Sequence, residues 1–297
     1  GSIPSSIIEN LKILNFLDLS VNNLSGPIPS SMGHLTNLTE LYISSNQLSG
    51  SIPLSMGYLT SLLRLILDSN QINGSIPTEI GNLTNLYYLD LSYNNLMGPI
   101  PFSIGQLIQL TNLFLHSNHI DSSIPPSIGK LENLMHLNVF SNLLNHVIPP
   151  EIGNLTNLAD LNLRHNQLTG PIPSSIGHFT NLTDLYLDSN HLDGSIPPSI
   201  GNLTNLRRLN LSANLLTGQI PSSLGNLTTL SILDLSSNRI NGSIPPEIGN
   251  LTNLVDLNLS HNHLTGPIPS SFGHFTSLTD LYLDSNQLDG SIPPSIG

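Results

Sequence analysis

The sequence predicts an α/β repeat solenoid, in which short units stack a concave parallel β-sheet against a convex side of 3-10 turns and extended chain. The first observation is an Asn that recurs every 24 residues, without an insertion, from Asn22 to Asn286. The second is the unit around it, L-x-x-L-x-L-x-x-N-x-L-x-G-x-I-P-x-x-I-G-x-L-x-x. The third is that one such unit is too short to bury its apolar face alone, so neighbouring units must stack into a superhelix.

Each element follows from the residue order within a unit, and the fourth repeat is typical. Leu89 and Leu91 flank Asp90 with the period of two that places both leucines on one face of a strand. Asn94 then has the amide donors and acceptor to satisfy backbone groups at the turn that leaves the strand. Pro101 keeps the following chain extended, and the P-x-x-I-G segment has the length of a 3-10 turn rather than of a helix.

The repeats are expected to form one domain, 1–297. Residues 14–297 hold twelve 24-residue repeats, the last incomplete at its edge, and residues 1–13 resemble a partial repeat. The opening Gly1-Ser2 continues into Ile3-Pro4 and fits the G-x-I-P of the repeat, which favours native sequence over a cloning remnant. The chain starts and ends in nearly the same repeat phase, as expected for an internal part of a longer solenoid or for an engineered array.

Charge and composition exclude several function classes. Lys and Arg number 7 against 19 Asp and Glu, a formal net charge of −12, which argues against a nucleic-acid partner. Lys12 and Lys130 are the only lysines, so a basic membrane-binding patch is not expected. No apolar run approaches the roughly 18 residues of a membrane-spanning helix. Without Cys there are no disulfides and no thiolate metal sites.

Catalysis, metals and cofactors are not expected either. His116 and His119 lie three residues apart, but no carboxylate stands near them at ligand spacing. No Ser-His-Asp set is distinguishable in a chain where Ser and Asp recur throughout the repeats. The sequence therefore predicts a protein that is not an enzyme and binds no cofactor.

The repeat resembles a known family. L-x-x-L-x-L-x-x-N-x-L is the leucine-rich repeat pattern, and the extension L-x-G-x-I-P-x-x-I-G-x-L is similar to the plant-specific class found in ectodomains of plant leucine-rich-repeat receptor-like kinases and receptor-like proteins. The resemblance implies a non-enzymatic, extracellular glycoprotein that binds a peptide or protein ligand on its concave face, together with a co-receptor. This chain departs from the family in lacking Cys-paired caps, which predicts end-to-end self-association through apolar ends.

The candidate ligand site lies on the strand positions that flank the buried leucines and should face the concave side. Repeats four to seven gather aromatic, histidine and arginine side chains there, within about 15 Å of strand stacking. Phe114 and Phe140 on a solvent-facing sheet are not explained by core packing, and exposed aromatic clusters mark binding sites. The candidate ligand-binding residues are Tyr88, Tyr93, Phe114, His116, His136, Phe140, Arg164 and His165.

Two neighbouring repeats depart from the pattern next to these positions. Where the unit carries Gly after N-x-L-x, Ser122 and His146 stand instead. Both residue types tolerate, at some cost, the bend that Gly makes easily. Residues 155–201 and 251–297, by contrast, match at 41 of 47 positions, as expected for duplicated repeats. A unique site is therefore expected in the middle repeats.

Sequons of the form N-x-S/T agree with an extracellular setting, although N-L-T and N-L-S also arise from the repeat itself. Those that follow the I-G turn stand on the convex side, where a bulky glycan is tolerated. The predicted glycosylation sites are Asn82, Asn154, Asn202, Asn226 and Asn250.

Two alternatives remain open from the sequence. A secreted enzyme inhibitor of the polygalacturonase-inhibiting type shares the plant-specific repeat. A structural or designed repeat protein without a ligand agrees with the duplicated blocks and the missing caps.

Overall fold

The computed structural model describes residues 1–8 and 11–296. The chain divides into two compact units, Gly1–Asn145 and His146–Gly297. In both units a typical repeat contributes a strand, a turn at the recurring Asn, a stretch of extended chain and a 3-10 turn. This arrangement confirms the predicted fold class.

The L-x-L segments of the first unit form a parallel sheet, the first sheet. Its strands pair in register, so that Leu65, Leu89 and Leu113 lie side by side. These central leucines are fully buried, while the residues flanking them are half-buried. The strands are β1 (Phe16–Asp18), β3 (Glu40–Tyr42), β5 (Arg64–Ile66), β7 (Tyr88–Asp90), β9 (Asn112–Phe114) and β11 (His136–Asn138).

A second parallel sheet follows the recurring Asn, where the sequence pattern predicts extended chain only. Backbone pairing between consecutive repeats makes this sheet, for example Asn73 with Asn95 and Gly74 with Leu96. Its strands are β2 (Ser25–Pro27), β4 (Gln47–Ser51), β6 (Gln71–Gly74), β8 (Asn95–Gly98), β10 (His119–Ser122) and β12 (Leu143–His146).

Short 3-10 turns complete the repeats, as predicted. A Pro precedes each turn in extended conformation, with a φ of −67° at Pro101. The Gly of I-G allows consecutive turns to stack, because a Cβ on Gly105 would stand 2.5 Å from the Ser127 carbonyl oxygen. The partial first repeat instead has α1 (Ser5–Ile8), a single α-helical turn. The 3-10 turns of the first unit are Ser30–His34, Leu54–Tyr58, Thr78–Asn82, Phe102–Gln106 and Pro126–Lys130.

The second unit repeats the plan with its own first sheet. Arg208 Nη1 pairs with Asp184 Oδ1 across neighbouring strands of this sheet at 3.0 Å. The strands of the sheet are β13 (Asp160–Asn162), β15 (Asp184–Tyr186), β17 (Arg208–Asn210), β18 (Ile232–Asp234), β20 (Asp256–Asn258) and β22 (Asp280–Tyr282).

The extended segments of the second unit pair less continuously. One group joins β14 (Gln167–Pro171) to β16 (His191–Asp193), and an isolated bridge joins Ser195 to Thr217. A separate group consists of β19 (Asn241–Ser243), β21 (His263–Gly266) and β23 (Gln287–Leu288). The 3-10 turns of this unit are Pro150–Asn154, Ser174–His178, Pro198–Asn202, Ser222–Asn226, Pro246–Asn250, Ser270–His274 and Pro294–Ile296.

The recurring Asn is buried at the turn, as predicted, and links consecutive repeats. Asn118 is 7% exposed, and its Oδ1 accepts a hydrogen bond from the Leu96 N–H at 2.9 Å. Its Nδ2 donates to the Leu91 carbonyl at 3.0 Å and to the Leu115 carbonyl at 3.1 Å. The side chain thus satisfies backbone groups of its own repeat and of the preceding one.

Positive φ angles recur at two places in the repeat. Gly98 has φ 76°, and Ser122 (φ 70°) and His146 (φ 65°) adopt the same conformation where the Gly is replaced, as predicted. The second place is the residue just before the recurring Asn, such as Tyr93 with φ 51°, which the sequence pattern does not reveal. Its N–H donates to the His116 carbonyl of the next repeat at 3.0 Å, so the conformation serves the stacking of repeats.

Ser122→Gly should raise the free energy of unfolding by about 0.5–1 kcal/mol, because Gly adopts positive φ without the steric cost of a Cβ. Urea denaturation followed by circular dichroism measures the change. The reciprocal variant, Gly98→Ser, should lower stability by a similar amount, since its Cβ would make only an ordinary 3.5 Å contact with Ser75 and the backbone strain remains. A stability change of the same sign in both variants would contradict this account.

Candidate functional site

The strands of the first sheet set the direction of the side chains in the candidate site. Leu89 and Leu113 are buried, so the residues on either side of them project to the opposite face of the sheet, the open face. The register places Tyr88 beside Asn112 and Asp90 beside Phe114. Predicted site residues from different repeats therefore come together on the open face.

Tyr88, Tyr93, Phe114, His116 and Phe140 form one connected group of rings, the aromatic cluster. The ring centroids of Tyr88 and Phe114 lie 5.5 Å apart, and those of Phe114 and His116 lie 6.4 Å apart. His116 is stacked on Phe140, with 4.5 Å between centroids and 7° between planes, and meets Tyr93 edge-on at 4.9 Å. Tyr93 is 54% exposed and the other four are half-buried, so the cluster is packed within itself and still open to solvent.

The other three predicted site residues lie apart from these ring contacts. His136, on β11, occupies the same strand position as Tyr88, with Asn112 on β9 between them. Among the residues that the structure describes, 1–8 and 11–296, no ring contact joins His136 to the cluster. Arg164 and His165 belong to the second unit. There the Arg164 guanidinium lies 5.8 Å from the Tyr186 ring centroid, and His165 is exposed with φ 52°.

The charges of Arg164 and His165 act on a nearby carboxylate of the second unit, that of Asp188. Asp188 is 6% exposed, and this burial raises the pKa of its carboxyl group. The charges of His165 and Arg164 oppose that rise in the pKa. Arg164 and His165 are therefore close enough to a buried carboxylate of the second unit to influence its pKa.

The open face of the first unit also holds a network that was not among the predicted site residues. Arg64 donates hydrogen bonds to the hydroxyl of Tyr87 and, at 3.3 Å, to that of Tyr42, and its guanidinium lies 5.0 Å from the Tyr87 ring centroid. The Tyr42 hydroxyl in turn donates to Glu40, and its ring lies 5.5 Å from that of Phe16. Arg64 is paired in register with Tyr88, so this network adjoins the aromatic cluster. Aligning the repeats could have revealed this network from the sequence, because Phe16, Glu40, Arg64 and Tyr88 occupy the same position in consecutive repeats.

Asp90 brings a partly buried charge to the edge of the cluster. Burial raises the pKa of its carboxyl group, hydrogen bonds from the Ser92 hydroxyl (2.6 Å) and N–H (3.0 Å) lower it, and the charge of Asp68 raises it. Asn210 and Asn258 accept the same pair of bonds from Ser212 and Ser260 in other repeats. The turn therefore needs the acceptor oxygen and not the charge.

Asp90→Asn should raise the free energy of unfolding at pH 7 by up to about 1 kcal/mol, because it removes a desolvated charge and keeps the acceptor. A folded-state pKa above the ordinary 3.8 means that the wild type gains stability as the pH falls from neutral towards 3.8, and the variant should lose that gain. Thermal unfolding between pH 4 and 7 measures both effects. Asp18→Asn is the control, since Asp18 accepts from Ser20 N–H at 2.8 Å but is exposed, and equal effects in both variants would argue against burial as the cause.

Neither a cluster of metal ligands nor a membrane-spanning helix is found in the described part of the chain. No three His, Asp or Glu side chains in it are grouped as ligands for a metal ion. Nor does any helix there have the length and apolar character needed to cross a membrane.

Comparison with known proteins agrees with the repeat. The family model for the leucine-rich repeat region matches residues 65–197 and 198–291, and the model for the single Leucine Rich Repeat matches residues 13–35 and 37–59. Receptor-like protein 52 of Arabidopsis thaliana is 52% identical over 42 residues, which are 14% of this chain and 5% of that protein.

Solved structures of plant receptors are similar over nearly the whole chain. The plant peptide hormone receptor RGFR1 in complex with RGF2 is 38% identical, with a TM-score of 0.89 over 99% of this chain and 51% of that one. A TDR receptor is 36% identical, with a TM-score of 0.93 over 98% of this chain and 51% of that one. This chain thus spans about half the length of these receptor structures. The similarity confirms the predicted resemblance to plant leucine-rich-repeat receptor ectodomains.

Proposed function

Because this chain belongs to the leucine-rich repeat family, we propose that it is a non-enzymatic recognition module, part of the extracellular ectodomain of a plant receptor-like kinase or receptor-like protein. Its ligand is an extended peptide or a protein segment that lies across the strands on the open face of the first unit. A co-receptor then joins the complex, as the family resemblance implies.

The aromatic cluster is the observation that carries this proposal. Rings such as Phe114 and Phe140 lie on the face opposite the leucine core, so packing of the core does not require them. Their mutual contacts hold them in place before a ligand arrives, which reduces the entropy lost on binding. Rigid aromatic side chains of this kind dominate the affinity of protein interfaces.

The histidine side chains of the candidate site set the polarity of the ligand. His116 and His136 are the nitrogen-bearing groups among the predicted site residues of the first unit. A neutral imidazole donates one hydrogen bond, and an imidazolium donates two and carries a positive charge, so both residues favour acidic or carboxylate-bearing groups. The ligand is therefore a peptide with apolar side chains for the rings and at least one acidic group.

A random-peptide display selection on the secreted chain tests the proposal and requires no ligand to be chosen in advance. Selected peptides should be enriched in apolar and acidic residues, and hydroxyl-radical footprinting should show protection of Tyr88, Phe114 and Phe140. Protection confined to the 3-10 turns, or the absence of any enriched peptide, would contradict it. Inhibition of a polygalacturonase by the same material would instead favour the secreted-inhibitor alternative.

If the chain is extracellular, its exposed N-x-S/T sequons should be N-glycosylated. Asn82, Asn154, Asn202, Asn226 and Asn250 each end a 3-10 turn and are exposed, so they should carry glycans. Asn210 and Asn258 should stay unmodified, because they are half-buried in the first sheet of the second unit and each accepts a hydrogen bond of 2.7 Å from its Ser neighbour. Glycopeptide mapping of protein secreted from plant or insect cells measures occupancy, and heavy modification of Asn210 and Asn258 would contradict the assignment.

A further inference from the structure

An apolar cleft of about 540 Å³ lies among the 3-10 turns of the first unit, away from the aromatic cluster. Its walls are Leu54 and Phe102, which occupy equivalent positions two repeats apart. The repeat between them has Thr78 at that position, and this smaller side chain leaves the gap. Other repeats carry Ser, Thr or Pro there, so the two walls are specific to this place in the chain.

The walls remain exposed although they are large and apolar. Leu54 is 63% exposed and Phe102 is 65% exposed. The Lys130 ammonium lies 5.7 Å from the centroid of the Phe102 ring, a cation–π contact that restrains the ring. Glu79 also lines the cleft, and its carboxylate accepts a hydrogen bond from the Thr78 hydroxyl at 3.1 Å. An aromatic ring beside a carboxylate and hydroxyl groups suits a sugar, whose C–H face packs on the ring while its hydroxyl groups donate to the carboxylate.

A glycosylation sequon opens onto the same cleft. Asn73-Gly74-Ser75 has the N-x-S form, Asn73 is exposed, and Ser75 itself lines the cleft. Ile72 is buried, so the alternation along β6 turns Asn73 outward. Asn73 and Ser75 are separated by at most about 7 Å of chain, which places the first sugar of a glycan at the rim of the cleft.

We propose that Asn73 is N-glycosylated and that its glycan lies in the cleft between Leu54 and Phe102. The glycan covers apolar surface that is otherwise exposed, and it stabilises the turns of the first unit. This inference rests on the proposed extracellular function, but it concerns a different surface and a different sequon from those assigned above.

The second unit offers a matched control within the same molecule. Asn241-Gly242-Ser243 is the same sequon at the same strand position, and Glu247 corresponds to Glu79. The residues that correspond to Leu54 and Phe102 there are Ser222 and Ser270, so the apolar walls are missing. A glycan on Asn241 therefore has nothing apolar to pack against.

The experiment compares Asn73→Gln, Asn241→Gln and Phe102→Ser in protein secreted from insect cells, with bacterially expressed protein as the unglycosylated reference. Glycopeptide mapping should find Asn73 occupied. Asn73→Gln should lower the Tm of the secreted protein by about 2 °C or more, and Asn241→Gln should leave it unchanged. Phe102→Ser should lower the Tm by a similar amount, with no further loss in the double variant, because one contact is removed in both cases. In the bacterial protein, Asn73→Gln should have no effect.

Three outcomes would overturn the inference. If Asn73 is unmodified while Asn82 is occupied, the inference fails and the proposed extracellular function stands. If no sequon of the secreted protein is occupied, both fail. If Asn73 is occupied but the effects of Asn73→Gln and Phe102→Ser are additive, the glycan lies elsewhere and the cleft is left for another occupant, such as an apolar side chain of a partner protein.

Discussion

Replacing Asn118 by Ala should lower the free energy of unfolding by about 2–4 kcal/mol, because several buried backbone groups lose their partner at once. The Leu96 N–H loses its acceptor, and the carbonyl groups of Leu91, Leu115 and His116 each lose a donor. The loss should be localised, since repeats of a solenoid contact only their neighbours. Urea denaturation measures the total, and amide hydrogen exchange should show the fastest opening around the fourth and fifth repeats.

Asn22→Ala is the matched control for this prediction. Asn22 occupies the same position in the first repeat, and its Nδ2 donates to the carbonyls of Leu19 at 3.1 Å and Ser20 at 3.0 Å. It is exposed, so water replaces these bonds, and the cost should be under about 1 kcal/mol. Equal losses in Asn22→Ala and Asn118→Ala would show that burial of the Asn side chain is not the source of its effect.

The fold was predictable from the sequence wherever side-chain burial leaves a periodic pattern. Leu89 and Leu91 alternate with polar positions, and this alone places a strand and its face. The second sheet leaves no such pattern, because β8 and its neighbours are held by backbone bonds between repeats and each buries a single apolar side chain, such as Leu96 in β8. Backbone N–H and C=O groups are the same in nearly every residue, so the sequence does not show which extended segments will pair through them.

The candidate site was predictable as a set of neighbours but not as a set of contacts. Register in a parallel sheet follows from the 24-residue repeat, so the shared face of Tyr88, Phe114 and Phe140 could be read from spacing. Side-chain rotamers decide the rest. They stack His116 on Phe140, and they turn Arg64 towards the hydroxyls of two tyrosines, neither of which repeat spacing specifies.

Phe114→Ala and Phe140→Ala should each weaken ligand binding by about 5- to 30-fold, or about 1–2 kcal/mol, the scale of interface hot spots. Each ring offers apolar area on the open face, and each is held there by a neighbour: Tyr88 for Phe114 and His116 for Phe140. Because both rings also meet His116, their effects should not be additive in the double variant. Peptides selected by the wild-type chain serve as the probe, and calorimetry or surface plasmon resonance gives the affinities.

Stability should change little in these variants, which separates a role in binding from a role in the core. The rings face away from the buried Leu113 and Val139, so each substitution should cost no more than about 0.5–1.5 kcal/mol, the strength of an aromatic pair. The control is Tyr282→Ala, in the same column of the duplicated block, where Tyr282 is 47% exposed. It is a cleaner control than Tyr186, whose ring lies under the Arg164 guanidinium. If Phe114→Ala unfolds the protein, the ring belongs to the core; if Tyr282→Ala weakens binding as much as either Phe variant, the ligand does not bind at the aromatic cluster.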